Sequence, residues 1–149
     1  MPDDLVVDAS VVAKLFFIED QSDLAEAALR AAGRLIAPEL LFVEMASVAA
    51  KQVRRGVTSA ERAVDAVTSV AELLDEAAPL SSLAERAFAL AQAHGFSAYD
   101  GTYLALAEAR GLRMITADQK LVRRAAEVGL GHLVRPLSGH RKATQSEFR

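Results

Sequence analysis

The feature that most constrains the fold is the apolar run Leu5-Val6-Val7, which is followed at once by Asp8. A short run without apolar–polar alternation is typical of a strand buried on both faces of a parallel sheet. In open parallel sheets, ligands bind beyond the carboxyl ends of the strands, near the point where the strand order reverses. Asp8 and Ser10 therefore lie where such proteins carry chemistry. The alternative is that one of them caps the helix that follows.

Short apolar runs alternate with helical patterns along the rest of the chain. Strands are predicted at 34–37, 77–80, 112–116 and 132–136, and helices at 10–17, 22–32, 38–55, 58–74, 82–94, 98–110 and 119–128. Gly33 is expected to end the second helix, and Pro38 to stand in the first turn of the third. The helix at 58–74 is expected to bury a face that includes Val64. This alternation predicts a parallel sheet in a layered α/β domain.

The length and composition predict one packed domain. The chain has 149 residues, of which 52% are hydrophobic. We expect a single domain over residues 1–137, followed by a polar, flexible tail at 138–149. The absence of cysteine excludes disulfides, thiolate metal sites and cysteine nucleophiles, and it fits a cytoplasmic protein.

Membrane and nucleic-acid signals are weak at the level of the whole chain. No apolar run approaches the ~18 residues that a membrane span needs, and the acidic start Met1-Pro2-Asp3-Asp4 is not typical of a signal peptide. The formal net charge is −3, so a polyanionic substrate would have to be attracted by local basic patches.

Helix capping and solvated helix faces explain most of the acidic residues, but they do not explain Glu44. It is the only charged residue between Leu40 and Ala50, and its neighbours one turn away along the helix are apolar. An unpaired carboxylate is costly to bury, so Glu44 needs a partner or a metal ion. The alternative is an ion pair with a basic side chain such as Lys51, or a partner on a neighbouring element.

Asp100 and Asp118 each have two interpretations. Asp100 completes a capping box that begins at Ser97, and Asp118 follows a predicted strand at a position suited to a helix cap. With Asp8 and Glu44, however, they make four acids that a doubly wound fold can gather at one edge. Mg²⁺ and Mn²⁺ prefer such oxygen ligands and support phosphoryl transfer.

Four segments carry a family resemblance: 7–14, Glu44 in its apolar helix, 98–107 and 116–121. In this order, the chain resembles the PIN-domain family, and within it the VapC-type ribonuclease toxins of toxin–antitoxin pairs. The resemblance extends from Leu5 to about Leu137. It implies a three-layer α/β/α sandwich with a mainly parallel sheet, and a Mg²⁺- or Mn²⁺-dependent endoribonuclease.

The resemblance also implies roles for individual residues. The family's metal-binding catalytic acids match Asp8, Glu44, Asp100 and Asp118, and its supporting hydroxyls match Ser10 and Thr116. An RNA substrate, a homodimer and a cognate antitoxin that silences the active site are implied as partners. One departure is Gly101, where many relatives carry alanine or a larger residue. Glycine there is expected to weaken the helix slightly.

Basic residues near the proposed site are the candidates for holding RNA. The cluster comprises Arg110, Arg113, Lys120, Arg123 and Arg124. Such residues neutralise phosphates without reading sequence. The alternative is that they complement helix dipoles and solvate the surface.

Other functional classes fit the residues less well. A receiver-type signalling domain needs paired acids after the first strand, and a phosphatase of the D-x-D-G-T kind needs an aspartate where Ala98 stands. Two alternatives stay open: an RNA-processing nuclease outside a toxin system, and an inactive PIN-like module that binds RNA or protein.

Overall fold

A computed structural model describes residues 1–17 and 19–137, so the predicted tail at 138–149 lies outside the described residues. In chain order the elements are β1 (Leu5–Val7), α1 (Ala9–Phe16), α2 (Ser22–Ala31), β2 (Leu35–Pro38), α3 (Leu40–Arg54), α4 (Ala60–Leu73), β3 (Glu76–Ala78), α5 (Ala84–His94), α6 (Ala98–Arg110), β4 (Arg113–Thr116), α7 (Gln119–Glu127) and β5 (Val134–Pro136). Short 3₁₀ turns at Leu80–Ser82 and Gly131–Leu133 precede α5 and β5. Over this part of the chain no helix has the length and apolarity of a membrane span.

The five strands form one sheet in the order β3-β2-β1-β4-β5, and every pairing is parallel. The chain moves outward from β1 through β2 to β3, then returns to the other side of β1 to form β4. The strand order therefore reverses between β1 and β4, whose register pairs Val7 with Ile115. This is the position at which open α/β sheets bind ligands.

Helices cover both faces of the sheet, which confirms the three-layer α/β/α sandwich. Alternate residues of β1 point to opposite faces, so Leu5 and Val7 pack with α1–α4 whereas Val6 packs with α5–α7. All three side chains are at most 2% exposed. The predicted double-sided burial of β1 is thus confirmed, and it makes β1 the centre of both apolar cores.

Three local expectations were wrong. Gly33 does not end α2, because the capping position falls on Ala32 in an extended conformation. Pro38 belongs to β2, where it pairs with Ala78; its missing N–H is tolerated because the pairing of β2 with β1 ends at Ile36. Val64 is 60% exposed, since α4 turns Ala63, Ala66 and Val70 inward instead.

Gly101 is explained by a close approach between α5 and α6. A Cβ atom added at Gly101 would lie 2.8 Å from the carbonyl oxygen of Ala87 and 3.3 Å from its Cα. These are backbone atoms of α5, so they can move aside only if the helix moves. Gly101 therefore allows the two helices to pack closely beside Asp100, a consequence that helix propensity alone does not reveal.

We predict that Gly101→Ala destabilises the protein, although alanine is the better helix former. The added methyl group forces α5 away from α6, and overpacking of this kind costs about 1–3 kcal/mol. Urea unfolding measures the change. Gly131→Ala is the matched control, because its nearest contact, Ala126 Cα, lies at an ordinary 3.6 Å. Equal stability of the two variants would contradict this account of the α5–α6 contact.

Candidate active site

Asp8 is the centre of a hydrogen-bond network at the carboxyl ends of β1 and β4. Its Oδ2 atom accepts hydrogen bonds from Ser10 Oγ and Thr116 Oγ1, both at 2.7 Å. The two hydroxyls also accept from the backbone, Ser10 from Ala117 N and Thr116 from Asp118 N, each at 3.0 Å. The network therefore joins the β1–α1 junction to the β4–α7 loop.

The alternative that Asp8 or Ser10 merely caps α1 is not supported. Asp8 occupies the N-cap position, but its side chain makes no capping hydrogen bond to α1. The Ser10 hydroxyl is directed to Asp8 and to the β4–α7 loop instead. Burial raises the pKa of the Asp8 carboxyl because it removes solvent from the charged form, and the charge of Asp118 raises it by a smaller amount.

Glu44 reaches the same region from α3, in the opposite layer to α6. Its Oε1 atom accepts a hydrogen bond from the Tyr103 hydroxyl at 2.7 Å. An ion pair between Glu44 and Lys51 is not present among the described residues. Burial raises the pKa of Glu44, and the charges of Asp8 and Asp100 raise it further.

Asp100 and Asp118 each lie at the N-terminus of a helix and also interact with the other acids of the site. Ser97 caps α6 by accepting from Asp100 N at 3.0 Å, and a hydrogen bond between the Ser97 side chain and the Asp100 carboxyl lowers the pKa of that carboxyl. Burial, together with the charges of Asp8 and Asp118, raises the pKa of Asp100 to about 6. Asp118 caps α7 through Oδ1, which accepts from Lys120 N and Leu121 N at 3.0 and 3.1 Å. Its capping role is real and uses one of its two oxygens.

The structure thus brings all four predicted acids into one electrostatic group. Asp8 acts on Glu44 and Asp100, and Asp118 acts on Asp8 and Asp100. Three of the four acids are half-buried and Asp118 is exposed. Repulsion among carboxylates this close favours a hard cation, and the available donors are all oxygens. The chemistry of the donor set therefore fits Mg²⁺ or Mn²⁺.

The acids are not yet in a ligating arrangement. Within residues 1–17 and 19–137, no three Asp, Glu, His or Cys side chains already stand where together they could hold a metal ion. One oxygen each of Asp8, Glu44 and Asp118 is engaged in the hydrogen bonds described above.

The five predicted RNA-binding residues lie in different surroundings. Arg110 pairs with Glu76, with Nη1 to Oε1 at 2.9 Å, and Arg124 donates to the His94 carbonyl and lies over the Phe96 ring. Arg113 begins β4, so it lies at the edge of the sheet opposite to Asp118.

Lys120 and Arg123 are exposed and make no ion pair in the described part of the chain. Unlike Arg113 they lie at the same end of the sheet as Asp118, and unlike Arg124 they do not donate to the His94 carbonyl. Lys120 follows Asp118, the N-cap residue of α7, by two residues, and Lys120 and Arg123 both belong to α7. RNA binding by the five residues stays a prediction, and these two are the best placed for it.

Tyr103 is a site residue that the sequence interpretation missed. It is 1% exposed and lies one helical turn after Asp100. Burial raises the pKa of its phenol far above the ordinary value, and the charges of Asp8 and Glu44 act in the same direction. The available signal was a tyrosine within the apolar run 101–107, since a buried hydroxyl needs a hydrogen-bond partner.

Comparison with known proteins identifies the family. The model of the PIN domain matches residues 5–127. The chain belongs to the PIN-domain family. It is 38% identical over 120 residues to Ribonuclease VapC3 from Pyrobaculum aerophilum, which covers 78% of this chain and 91% of that protein. The resemblance to VapC-type members is therefore confirmed.

Solved structures of three similar proteins support the fold. A Pyrobaculum aerophilum protein has a TM-score of 0.65 at 21% identity, over 92% of this chain and 85% of its own. A toxin–antitoxin complex from Klebsiella pneumoniae has a TM-score of 0.62 at 21% identity, and the match covers 79% of this chain and 89% of that chain. VapC20 from Mycobacterium tuberculosis, described as a sarcin–ricin loop cleaving toxin, has a TM-score of 0.65 at 17% identity, over 80% of this chain and 93% of its own.

We predict that Thr116→Val lowers the free energy of unfolding. The substitution keeps the shape of the side chain but removes a donor to Asp8 and the acceptor of Asp118 N–H. Leaving such buried groups unsatisfied costs about 1–3 kcal/mol. The measurement is urea unfolding in the presence of EDTA.

Thr68→Val is the matched control for this variant. The Thr68 hydroxyl is exposed and bonds only to backbone carbonyls one turn earlier in α4, at 3.0 Å from Val64 O. Its removal is expected to change stability little. Similar losses in the two variants would argue against the Asp8 network as a special source of stability.

Proposed function

We propose that this protein is a Mg²⁺- or Mn²⁺-dependent endoribonuclease, and that it is the toxin of a VapBC-type pair. The observation that carries the proposal is the group of four carboxylates near the point where the strand order reverses, in which Asp8 and Asp100 each interact with the other three. The 38% identity to Ribonuclease VapC3 over most of both chains supports the reaction class. The Klebsiella neighbour, a toxin–antitoxin complex, supports an antitoxin partner.

In this proposal the chain's own residues prepare the site. The cation would be held by four acids: Asp8, Glu44, Asp100 and Asp118. Ser10 and Thr116 hold Asp8 in one orientation by donating to the same oxygen. When bound, a divalent cation lowers the pKa of a water molecule and offsets negative charge on the leaving oxygen of the phosphodiester.

The exposed cations of α7 would hold the RNA backbone beside these acids. Lys120 and Arg123 contact phosphates in this proposal, whereas Arg110 and Arg124 contribute less because Glu76 and the His94 carbonyl engage them. Phosphate contacts orient RNA without selecting its sequence. The domain would span 1–137 and act on cytoplasmic RNA, with 138–149 as its polar tail.

Cleavage of total RNA by the purified protein tests the proposal. We expect cleavage with Mg²⁺ or Mn²⁺, none with EDTA, and a loss of at least ~100-fold in Asp8→Asn, since even residues that only support a metal ligand contribute 10–100-fold. Glu72→Gln is the matched control, because Glu72 is an exposed acid on α4. Expression of wild type, but not of Asp8→Asn, should also arrest growth.

Three other outcomes would point elsewhere. Metal-dependent cleavage without growth arrest favours the RNA-processing nuclease. RNA binding that survives Asp8→Asn without any cleavage favours the inactive interaction module. Cleavage that is undiminished in Asp8→Asn would reject the proposed site.

The homodimer is also a proposal. Phe88 on α5 and Tyr99 on α6 are large apolar side chains that are 65% and 63% exposed, and they lie on two helices that pack together. Exposed aromatic residues of this kind are typical of protein interfaces. We predict a dimer mass in light scattering after size exclusion and a monomer for Phe88→Glu. A monomeric wild type would reject it.

A further inference from the structure

We infer that Tyr103 is a positioning residue that sets the place of the Glu44 carboxylate in the active site. This inference rests on the proposed function, because Glu44 matters only if the four acids act together. The observation that supports it is the hydrogen bond that the Tyr103 hydroxyl donates to Glu44 Oε1, at 2.7 Å. It joins a helix on one face of the sheet to a helix on the other.

The Tyr103 ring is itself held rigidly. It is 1% exposed and belongs to the apolar core formed by α5, α6 and α7 with the sheet. Close packing leaves such a ring few rotamers, so its hydroxyl projects to one place. Tyr103 is therefore suited to hold a mobile partner.

Glu44 is the mobile partner. A glutamate side chain has several rotatable bonds and loses much rotamer freedom when it is ordered. Glu44 is only partly buried, and in the described part of the chain it makes no hydrogen bond or ion pair other than that with Tyr103. Without the hydroxyl, no other hydrogen bond or ion pair in the described part of the chain would keep the carboxylate from turning toward solvent.

The same contact links two of the proposed metal ligands. Asp100 and Tyr103 are three residues apart on α6, so they lie on one face of that helix. A shift of α6 would therefore move Asp100 and, through the phenol, Glu44. Tyr103 thus makes the separation of these two acids depend on one rigid helix.

The test uses Tyr103→Phe in the full chain, with Tyr99→Phe as the matched control. Tyr99 is the only other tyrosine in the sequence, and it is 63% exposed. Mn²⁺ binding to EDTA-treated protein is measured by calorimetry. We expect Tyr103→Phe to bind Mn²⁺ 10–100-fold more weakly, the usual effect of losing a group that orients a ligand, and Tyr99→Phe to match wild type.

A double-mutant cycle separates positioning from a general structural effect. If Tyr103 acts through Glu44, adding Tyr103→Phe to Glu44→Gln should weaken Mn²⁺ binding by much less than it does in the wild type. Equal effects in both backgrounds would overturn the inference. So would wild-type affinity in Tyr103→Phe.

A metal-free measurement keeps this inference distinct from the proposed function. The ¹³C signal of the Glu44 side-chain carboxyl should shift in Tyr103→Phe and stay in place in Tyr99→Phe. An unchanged signal would overturn the Tyr103–Glu44 contact even if wild type cleaves RNA. Absence of Mn²⁺ binding by wild type would instead overturn the metal site, and with it any role of Tyr103 in metal binding.

Discussion

One carboxylate oxygen of Asp8 accepts hydrogen bonds from two hydroxyl groups, and the whole site depends on this interaction. Ser10 comes from the first turn of α1, whereas Thr116 comes from the end of β4, more than a hundred residues later. Both hydroxyls also accept hydrogen bonds from backbone N–H groups of the β4–α7 loop. Through them, Asp8 helps to hold the loop that carries Asp118. A buried carboxylate persists here because donors surround it.

The remaining acids are held by elements that serve the fold for other reasons. α3 and α6 cover opposite faces of the sheet, and the hydrogen bond from Tyr103 of α6 to Glu44 of α3 joins them. The close approach at Gly101 sets α5 against α6 beside Asp100. Burial is the main cause of the raised pKa values of Asp8, Glu44 and Asp100, and repulsion between the gathered carboxylates adds to it. Repulsion between the carboxylates favours the state of the site in which a cation is bound.

Local patterns predicted the elements well where packing and propensity agree. The helix over Ala98–Arg110 and its Ser97 cap were predicted with the observed bounds, because capping and apolar pattern coincide there. Local patterns gave the wrong prediction where contacts with residues distant in sequence determine the structure. Pro38 continues a strand because β3 pairs with it, and Val64 is exposed because α4 turns its alanine face to the core. Single-residue rules contain neither contact.

The amino-acid sequence by itself determined the α/β class, the central apolar strand and the isolation of Glu44 in an apolar helix, because period and burial cost are local properties. It also carried the order of motifs by which the PIN-domain family is recognised. Only the tertiary structure decided that Thr116 and Ser10 share one oxygen of Asp8, that Tyr103 holds Glu44, and that Glu76 engages Arg110. Except for the bond between Ser10 and Asp8, these contacts join residues 34 to 108 positions apart. Their geometry follows from sheet order and helix packing rather than from spacing along the chain.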